Sequence, residues 1–377
     1  MLRWFLLIFA LLAAVLGALN LVKSPDWSYW KLAVLAGEYG HWVALLPLLI
    51  GMVAWSTRGT QVAWTLATVA VCVMAAGLLL KPTVQAWRVA RTLPARLEQS
   101  FGHTTSGRPA FSLGGLFQSA PAPVAVKTMT FAAGLELDLY HAVRTDARPA
   151  PCVLVVHGGG WDGGERGEIA QFNHWLARRG YAVAAISYRL APQFRWPAQR
   201  EDILAAIAFL KARAPALGID ATRLVLFGRS AGGNMAEATA YTVPDPAIRG
   251  VIAFYAPADL NFAYAFGRED DVLKSPQLLR QFLGGPPETV RAAYDSASAY
   301  LHVGRTTPPT LLMHGELDTL VWNRQSERLE QKLAAAGVPH AFVSLPWATH
   351  AFEYNLSGPG GQLATYSVEW FLAAVTR

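Results

Sequence analysis

Leu224-Val225-Leu226-Phe227-Gly228-Arg229-Ser230-Ala231-Gly232-Gly233 runs from four apolar residues into a serine bracketed by glycines. The apolar run closed by glycine reads as the end of a buried strand, and the small residues of Gly232–Tyr241 read as a helix. Gly228 to Gly232 fits G-x-S-x-G. In a strand–turn–helix setting this pattern holds a serine on a sharp, strained turn, where only small neighbours avoid a clash. Ser230 is therefore the candidate nucleophile.

The same strand form recurs on both sides of this stretch. Val124–Phe131 and Leu135–His141 read as an opening pair, followed by Cys152–Val156, Tyr181–Ser187, Val251–Tyr255, Thr310–Met313 and Ala341–Leu345. Helical stretches lie between them at Ile169–Arg179, Arg200–Arg213, Ser326–Ala336 and Ala364–Val375. Continuous apolar strands alternating with helices predict an α/β fold with a doubly wound, mostly parallel sheet covered on both faces. Functional groups in such sheets gather at the carboxyl ends of the strands.

Three further stretches occupy such ends. His157-Gly158-Gly159-Gly160-Trp161 follows Cys152–Val156, and its unobstructed backbone N–H groups suit an oxyanion. Gly159 and Gly160 are the candidate donors, with the N–H of Ala231 as a third, while His157 reads as a structural hydrogen-bonding residue. Asp318 follows Thr310–Met313 and can orient an imidazole, with Glu316 and Asp259 as rivals. His350 follows Ala341–Leu345 and completes a Ser, Asp, His chain order. Trp161, Arg229 and Trp347 are candidate pocket residues, together with Phe262, Tyr264 and Phe266; core packing is the competing role for each aromatic.

These motifs resemble the α/β-hydrolase superfamily, and within it the esterase/lipase branch related to hormone-sensitive lipase and to BD-FAE-type, feruloyl-esterase-like carboxylesterases. The resemblance covers roughly residues 124–375. It rests on HGGGW at 157–161, GRSAGGNMA at 228–236, Ser187 to Pro192, Trp196 to Gln199 with Glu201 and Asp202, and HGELDTLV at 314–321. It implies ester hydrolysis through an acyl-enzyme, with no metal and no organic cofactor. The machinery does not separate ester from amide cleavage, and a non-catalytic membrane-bound binding protein is the remaining alternative. Arg229 departs from the Asp or Glu that relatives often carry before the nucleophile, which leaves substrate polarity open.

Nothing in the resemblance reaches residues 1–123. Residues 4–22, 39–57 and 59–80 contain no Asp, Glu, Lys or Arg, and each has the length of a bilayer-crossing helix. They predict an N-terminal bundle of about three transmembrane helices over 1–80. Residues 81–123 would form a juxtamembrane helix and linker, and 124–377 the catalytic domain. Within the linker, Phe111, Leu113, Leu116 and Phe117 could pack on the catalytic domain or cover its mouth. The net charge of +6 is concentrated in residues 1–100, with eight Lys/Arg against three Asp/Glu, so no basic stripe is left for nucleic acid. The expected partners are a lipid bilayer and a small-molecule or lipid-like ester; oligomeric state is not legible. Counting loop cations, with Arg3 and Arg58 on one side and Lys23, Lys31, Lys81, Arg88, Arg91 and Arg96 on the other, tilts the catalytic domain slightly toward the cytoplasm. Cys72 and Cys152 have no metal-like or redox-like neighbourhood.

Overall fold

The computed structural model describes residues 2–104 and 107–377. Its first five helices are α1 (Leu2–Ala18), α2 (Trp27–Glu38), α3 (Gly40–Val43), α4 (Leu45–Ser56) and α5 (Val62–Phe101). Then follow β1 (Val126–Ala132), β2 (Leu135–Tyr140), β3 (Ala150–Val156), α6 (Ala170–Arg178), β4 (Ala182–Ile186), α7 (Ala198–Leu217), β5 (Ile219–Arg229), α8 (Ala231–Thr242) and β6 (Ile248–Phe254). After β6 come α9 (Leu260–Phe266), α10 (Ser275–Leu283), α11 (Pro287–Ala297), β7 (Thr310–Gly315), α12 (Arg324–Ala335), β8 (His340–Leu345) and α13 (Pro359–Val375).

The eight strands form one sheet in the order β1-β2-β4-β3-β5-β6-β7-β8. β1 and β2 pair antiparallel, as do β2 and β4, and the remaining pairs are parallel. This is the α/β-hydrolase fold. Alternation along each strand splits the core in two. Leu154, Val156, Leu224 and Leu226 face α7, α8 and α12, while Val153, Val155, Val225 and Phe227 face α6 and α13. Because β4 and β5 lie on opposite sides of β3, the connections reverse there. A crevice opens at such a switch point beyond the strand ends.

The N-terminal helices depart from three simple spans. α1 stops at Ala18, short of residue 22. The second run is interrupted at Ala44, three residues before Pro47, which has no N–H and whose ring would collide with the Val43 carbonyl. The third run does not end at residue 80: α5 continues unbroken through Pro82 to Phe101. The carbonyl of Leu78, which Pro82 cannot bond, accepts instead from Asn20 Nδ2 at 3.1 Å. Among the described residues only α5 is by itself long and apolar enough to cross a bilayer; α2 with Gly40–Ser56 reaches that length only as a pair bent by 78°.

α1, α4 and α5 pack through small residues, Ala10, Ala13, Ala14, Gly51, Ala54 and Ala75, and turn large apolar side chains such as Phe5, Phe9, Leu49, Met52 and Val73 outward. Past residue 80, α5 lies in the lower core layer, the one on the α6 and α13 side of the sheet, where Ala86, Leu93 and Leu97 are fully buried beside Val343, Trp347 and α13. In the linker, Phe111 and Leu116 are buried in or against that layer, whereas Leu113 and Phe117 stay exposed. Glu38 fastens α2 to the same region: its carboxylate accepts from Gly360 N at 2.8 Å and from Trp347 Nε1 at 3.4 Å.

A buried acid in α8 lacks hydrogen-bond partners among the described residues. Glu237 is fully buried and neither carboxylate oxygen has a hydrogen bond. Burial raises its pKa well above the ordinary value, since an isolated carboxylate is costly in a dry interior. A raised folded-state pKa means that the stability present below the unfolded value of about 4.3 is lost as pH rises toward the folded value, at up to roughly 1.4 kcal/mol per pH unit. Glu237→Gln is therefore expected to stabilise the protein more at pH 9 than at pH 5 in denaturant melts. An identical change at both pH values would contradict a buried, protonated Glu237.

Candidate active site

The end of β5 places Ser230 at φ +52°, ψ −122°, an unfavourable backbone for a residue with a side chain, followed at once by α8. As the first residue of that helix, Ala231 carries one of the N–H groups that no earlier carbonyl of the helix can bond. β3 runs parallel beside β5 with Val156 opposite Gly228, so the loop leaving β3 arrives next to the serine. In that loop the N–H of Gly158 donates to Glu168 Oε2 at 2.8 Å and is occupied. Gly159 follows at φ +106°, a conformation reserved for glycine, where a Cβ would also overlap the backbone of Gly163. His157 is held by its neighbours: its ring stacks on Tyr188 at 4.2 Å, and Tyr188 Oη donates to the His157 and Gly158 carbonyls.

Asp318, just past β7, and His350, past β8, are joined by a 2.7 Å bond between Asp318 Oδ2 and His350 Nδ1. The other carboxylate oxygen accepts from the N–H groups of Leu320 and Val321, at 2.8 and 2.9 Å. Burial works to raise the Asp318 pKa, but the imidazoles of His350 and His314 outweigh it and hold the carboxyl well below the usual range. The rivals are engaged elsewhere. Asp259 caps α9 through Phe262 N and pairs with Arg328 at 2.9 Å. Glu316 is exposed and accepts from Ser344 Oγ.

Ser230, Ala231, His350 and Gly158 to Gly160 line one cavity of about 480 Å³. The volume lies in the range of small-molecule sites. Trp161 forms part of its wall, with Nε1 donating to Asn234 Oδ1 at 3.2 Å.

A protein-family model described as BD-FAE matches residues 137–333, just over half of the chain. The chain belongs to the BD-FAE family. It is 29% identical over 242 residues to the probable carboxylic ester hydrolase LipM of Mycobacterium tuberculosis, covering 60% of this chain and 54% of that protein. It is 27% identical over 257 residues to esterase LipC of the same organism, covering 64% and 62%. The chain thus spans little more than half the length of these relatives. Among solved structures, a bacterial heroin esterase is 21% identical at a TM-score of 0.60, covering 76% of this chain and 92% of that one, a likeness of fold.

Several expected pocket residues of this BD-FAE chain lie elsewhere. Trp347 is buried and donates to Glu38, so it packs at the junction with α2 rather than in the cavity. Tyr264 meets Tyr294 edge-on. Phe262 and Phe266 line a second cavity of about 260 Å³ that shares walls with the first. Arg229 does border the main cavity, but its side chain is 1% exposed and turned inward. Its Nε donates to Glu353 Oε1 at 2.8 Å, its guanidinium lies 4.4 Å from the Phe227 ring, and Glu353 also accepts from Tyr255 Oη at 2.5 Å. The Tyr255 ring lies 4.1 Å from that of His350, so the pair braces both the elbow and the histidine. Sequence reasoning missed Glu353, although an arginine next to a nucleophile calls for a buried acid, and missed Trp27 and Trp30, which reach the main cavity from α2.

Removing one member of a buried pair leaves an uncompensated charge, while replacing both can be nearly neutral. Glu353→Leu should therefore cost about 3–5 kcal/mol of stability. Arg229→Met with Glu353→Leu should regain at least half of that in denaturant melts. A double variant no more stable than Glu353→Leu would contradict the pairing.

Proposed function

We propose that this chain is a membrane-anchored serine carboxylesterase using Ser230, His350 and Asp318. The observation that carries the chemistry is the conjunction in one cavity of a serine on a strained elbow and a histidine bonded to a buried, ionised aspartate. His350 Nε2 takes the proton from Ser230 Oγ as that oxygen attacks the ester carbonyl. Asp318 keeps the imidazole proton on Nδ1 and stabilises the imidazolium. The N–H groups of Gly159, Gly160 and Ala231 hold the oxyanion. Collapse expels the alcohol, which takes its proton from Nε2. Water, activated by the same nitrogen, then releases the acid and restores Ser230. The names of LipM and LipC support ester substrates.

The anchor is supported by the inside-out packing of α1, α4 and α5. Small residues at helix contacts and large apolar ones outside suit lipid, which supplies no hydrophobic force between helices and rewards close backbone approach. Arg3 bonds Gln61 Oε1 and the Arg58 carbonyl at one end of the bundle, and Lys81 bonds the Asn20 carbonyl at the other, beside the catalytic domain. Two such ends fit a bundle that crosses a bilayer with the N-terminus and the catalytic domain on opposite sides. The count of cations favours a cytoplasmic catalytic domain.

One preparation tests both halves. After an alkaline carbonate wash the wild-type protein should remain in the membrane pellet. There, Ser230→Ala should abolish ester hydrolysis, and Asp318→Asn should lower kcat by about 10⁴-fold, whereas Asp259→Asn should retain most activity. Release by carbonate would overturn the anchor. Substantial turnover by Ser230→Ala, or a larger loss from Asp259→Asn than from Asp318→Asn, would overturn the assignment of the residues.

A further inference from the structure

The wall of the Ser230 cavity is completed by a part of the chain outside the family match. Trp27 and Trp30, on α2, face the same space as Ser230 and His350. α2 follows α1 after a loop of residues 19–26 that lies at the bundle's catalytic end. Asn20 Nδ2 donates to the carbonyls of Ala36 and Leu78, and Lys81 Nζ donates to the Asn20 carbonyl. The same loop touches the rim of the second cavity, where Lys23 Nζ lies 6.0 Å from the Trp322 ring. The mouth of the active site is thereby fixed at the level where the apolar bundle ends. Tryptophans and tyrosines favour that depth in a bilayer.

Exposed apolar side chains flank this mouth, Leu21, Val22, Trp27, Tyr29 and Leu32 on the α2 side and Phe266 and Trp322 on the other, with the charged Lys23, Asp26 and Lys31 interspersed on the α2 side. Large apolar and aromatic side chains interleaved with lysines suit the headgroup level of a bilayer. Inside, Trp161, Pro257, Leu273, Leu278, Leu320 and Val321 wall both cavities, so the Ser230 cavity adjoins the one lined by Phe262 and Phe266 across shared apolar residues, with Arg268 and Asp271 also lining the second. The charges present disfavour an anion. Asp162 and Glu168 line the main cavity, and Arg229, the one Lys or Arg among its described lining residues, is paired with Glu353.

We infer that Trp27 and Trp30 are specificity-determining residues, and that the ester they select is an uncharged, long-chain acyl ester drawn from the bilayer that holds the bundle. This rests on the serine-esterase reading above. Trp27 and Trp30 hold the acyl-bearing end of the substrate at the membrane side of the cavity, and the shared apolar walls receive the chain.

The full chain, reconstituted in phosphatidylcholine vesicles, is assayed on p-nitrophenyl palmitate placed in the bilayer and on p-nitrophenyl acetate in water. The kcat/KM ratio of palmitate to acetate should fall by about tenfold in the Trp27→Ala/Trp30→Ala pair and return to within about threefold of wild type in the Trp27→Phe/Trp30→Phe pair. Palmitate supplied in the protein's own vesicles should be hydrolysed faster than palmitate supplied in separate vesicles. An unchanged ratio in the alanine pair would overturn the role of the tryptophans, with labelling of Ser230 by a small fluorophosphonate verifying that the pair is folded. Equal rates from the two vesicle populations would overturn the route from the bilayer. Acetate hydrolysis that depends on Ser230 separates these failures from failure of the esterase reading, which would abolish turnover of both esters in the wild type.

Discussion

The fold depends on a very close backbone approach where the β5–α8 elbow meets the end of β3. A Cβ at Gly232 would overlap the carbonyls of Val156 and His157, and one at Gly228 would overlap the carbonyl of Gly232. With hydrogen there instead, the helix start that carries Ala231 can press against the strand that delivers the glycine loop. The consequence is chemical as well as steric. Ser230, Ala231 and Gly159–Gly160 border the same cavity, the arrangement that the proposed oxyanion stabilisation calls for. The strain at Ser230 is held from beneath: Ser230 N donates to the Phe254 carbonyl of the neighbouring strand, and Arg229 is locked to Glu353.

The same scaffold accepts a second constraint from the N-terminal helices. α5 runs as one rod from the apolar bundle into the lower core layer, so the orientation of the catalytic domain to the bundle is set by buried leucines rather than by a flexible tether. Glu38 adds a polar pin between α2 and the first turn of α13, and Trp347, three residues before His350, shares it. The placement of α2 over the cavity thus follows from packing, and the region outside the family match becomes part of the site.

Much of this was legible in the chain. The central strands β3, β4 and β7 coincide with runs of apolar residues because parallel strands buried on both faces need unbroken hydrophobicity, whereas β1 and β2, paired antiparallel, mix polar and apolar residues. Ser230, Asp318 and His350 were legible because their motifs sit directly after those strands. What escaped was tertiary. α9 and α10 are only 7 and 9 residues long, and Gly267, Gly284 and Gly285 break the segment between α9 and α11, so none stands out as a helix in the sequence. The charge-free run ends at residue 80 before Lys81, yet Asn20 satisfies the carbonyl that Pro82 frees, and the helix passes through. Trp347 and Trp30 are equally aromatic in the sequence, and only the docking of α2 decides that the first is buried beside Glu38 and the second borders the cavity.

The nucleophile is the claim on which the remainder turns, and the most direct measurement is to find where a covalent probe attaches. After reaction of the membrane-reconstituted protein with a fluorophosphonate, intact mass and peptide mapping should give a single adduct, located on Ser230 and missing when His350 is replaced by alanine. An adduct on another residue, or hydrolysis that continues undiminished with Ser230 unmodified, would contradict the account.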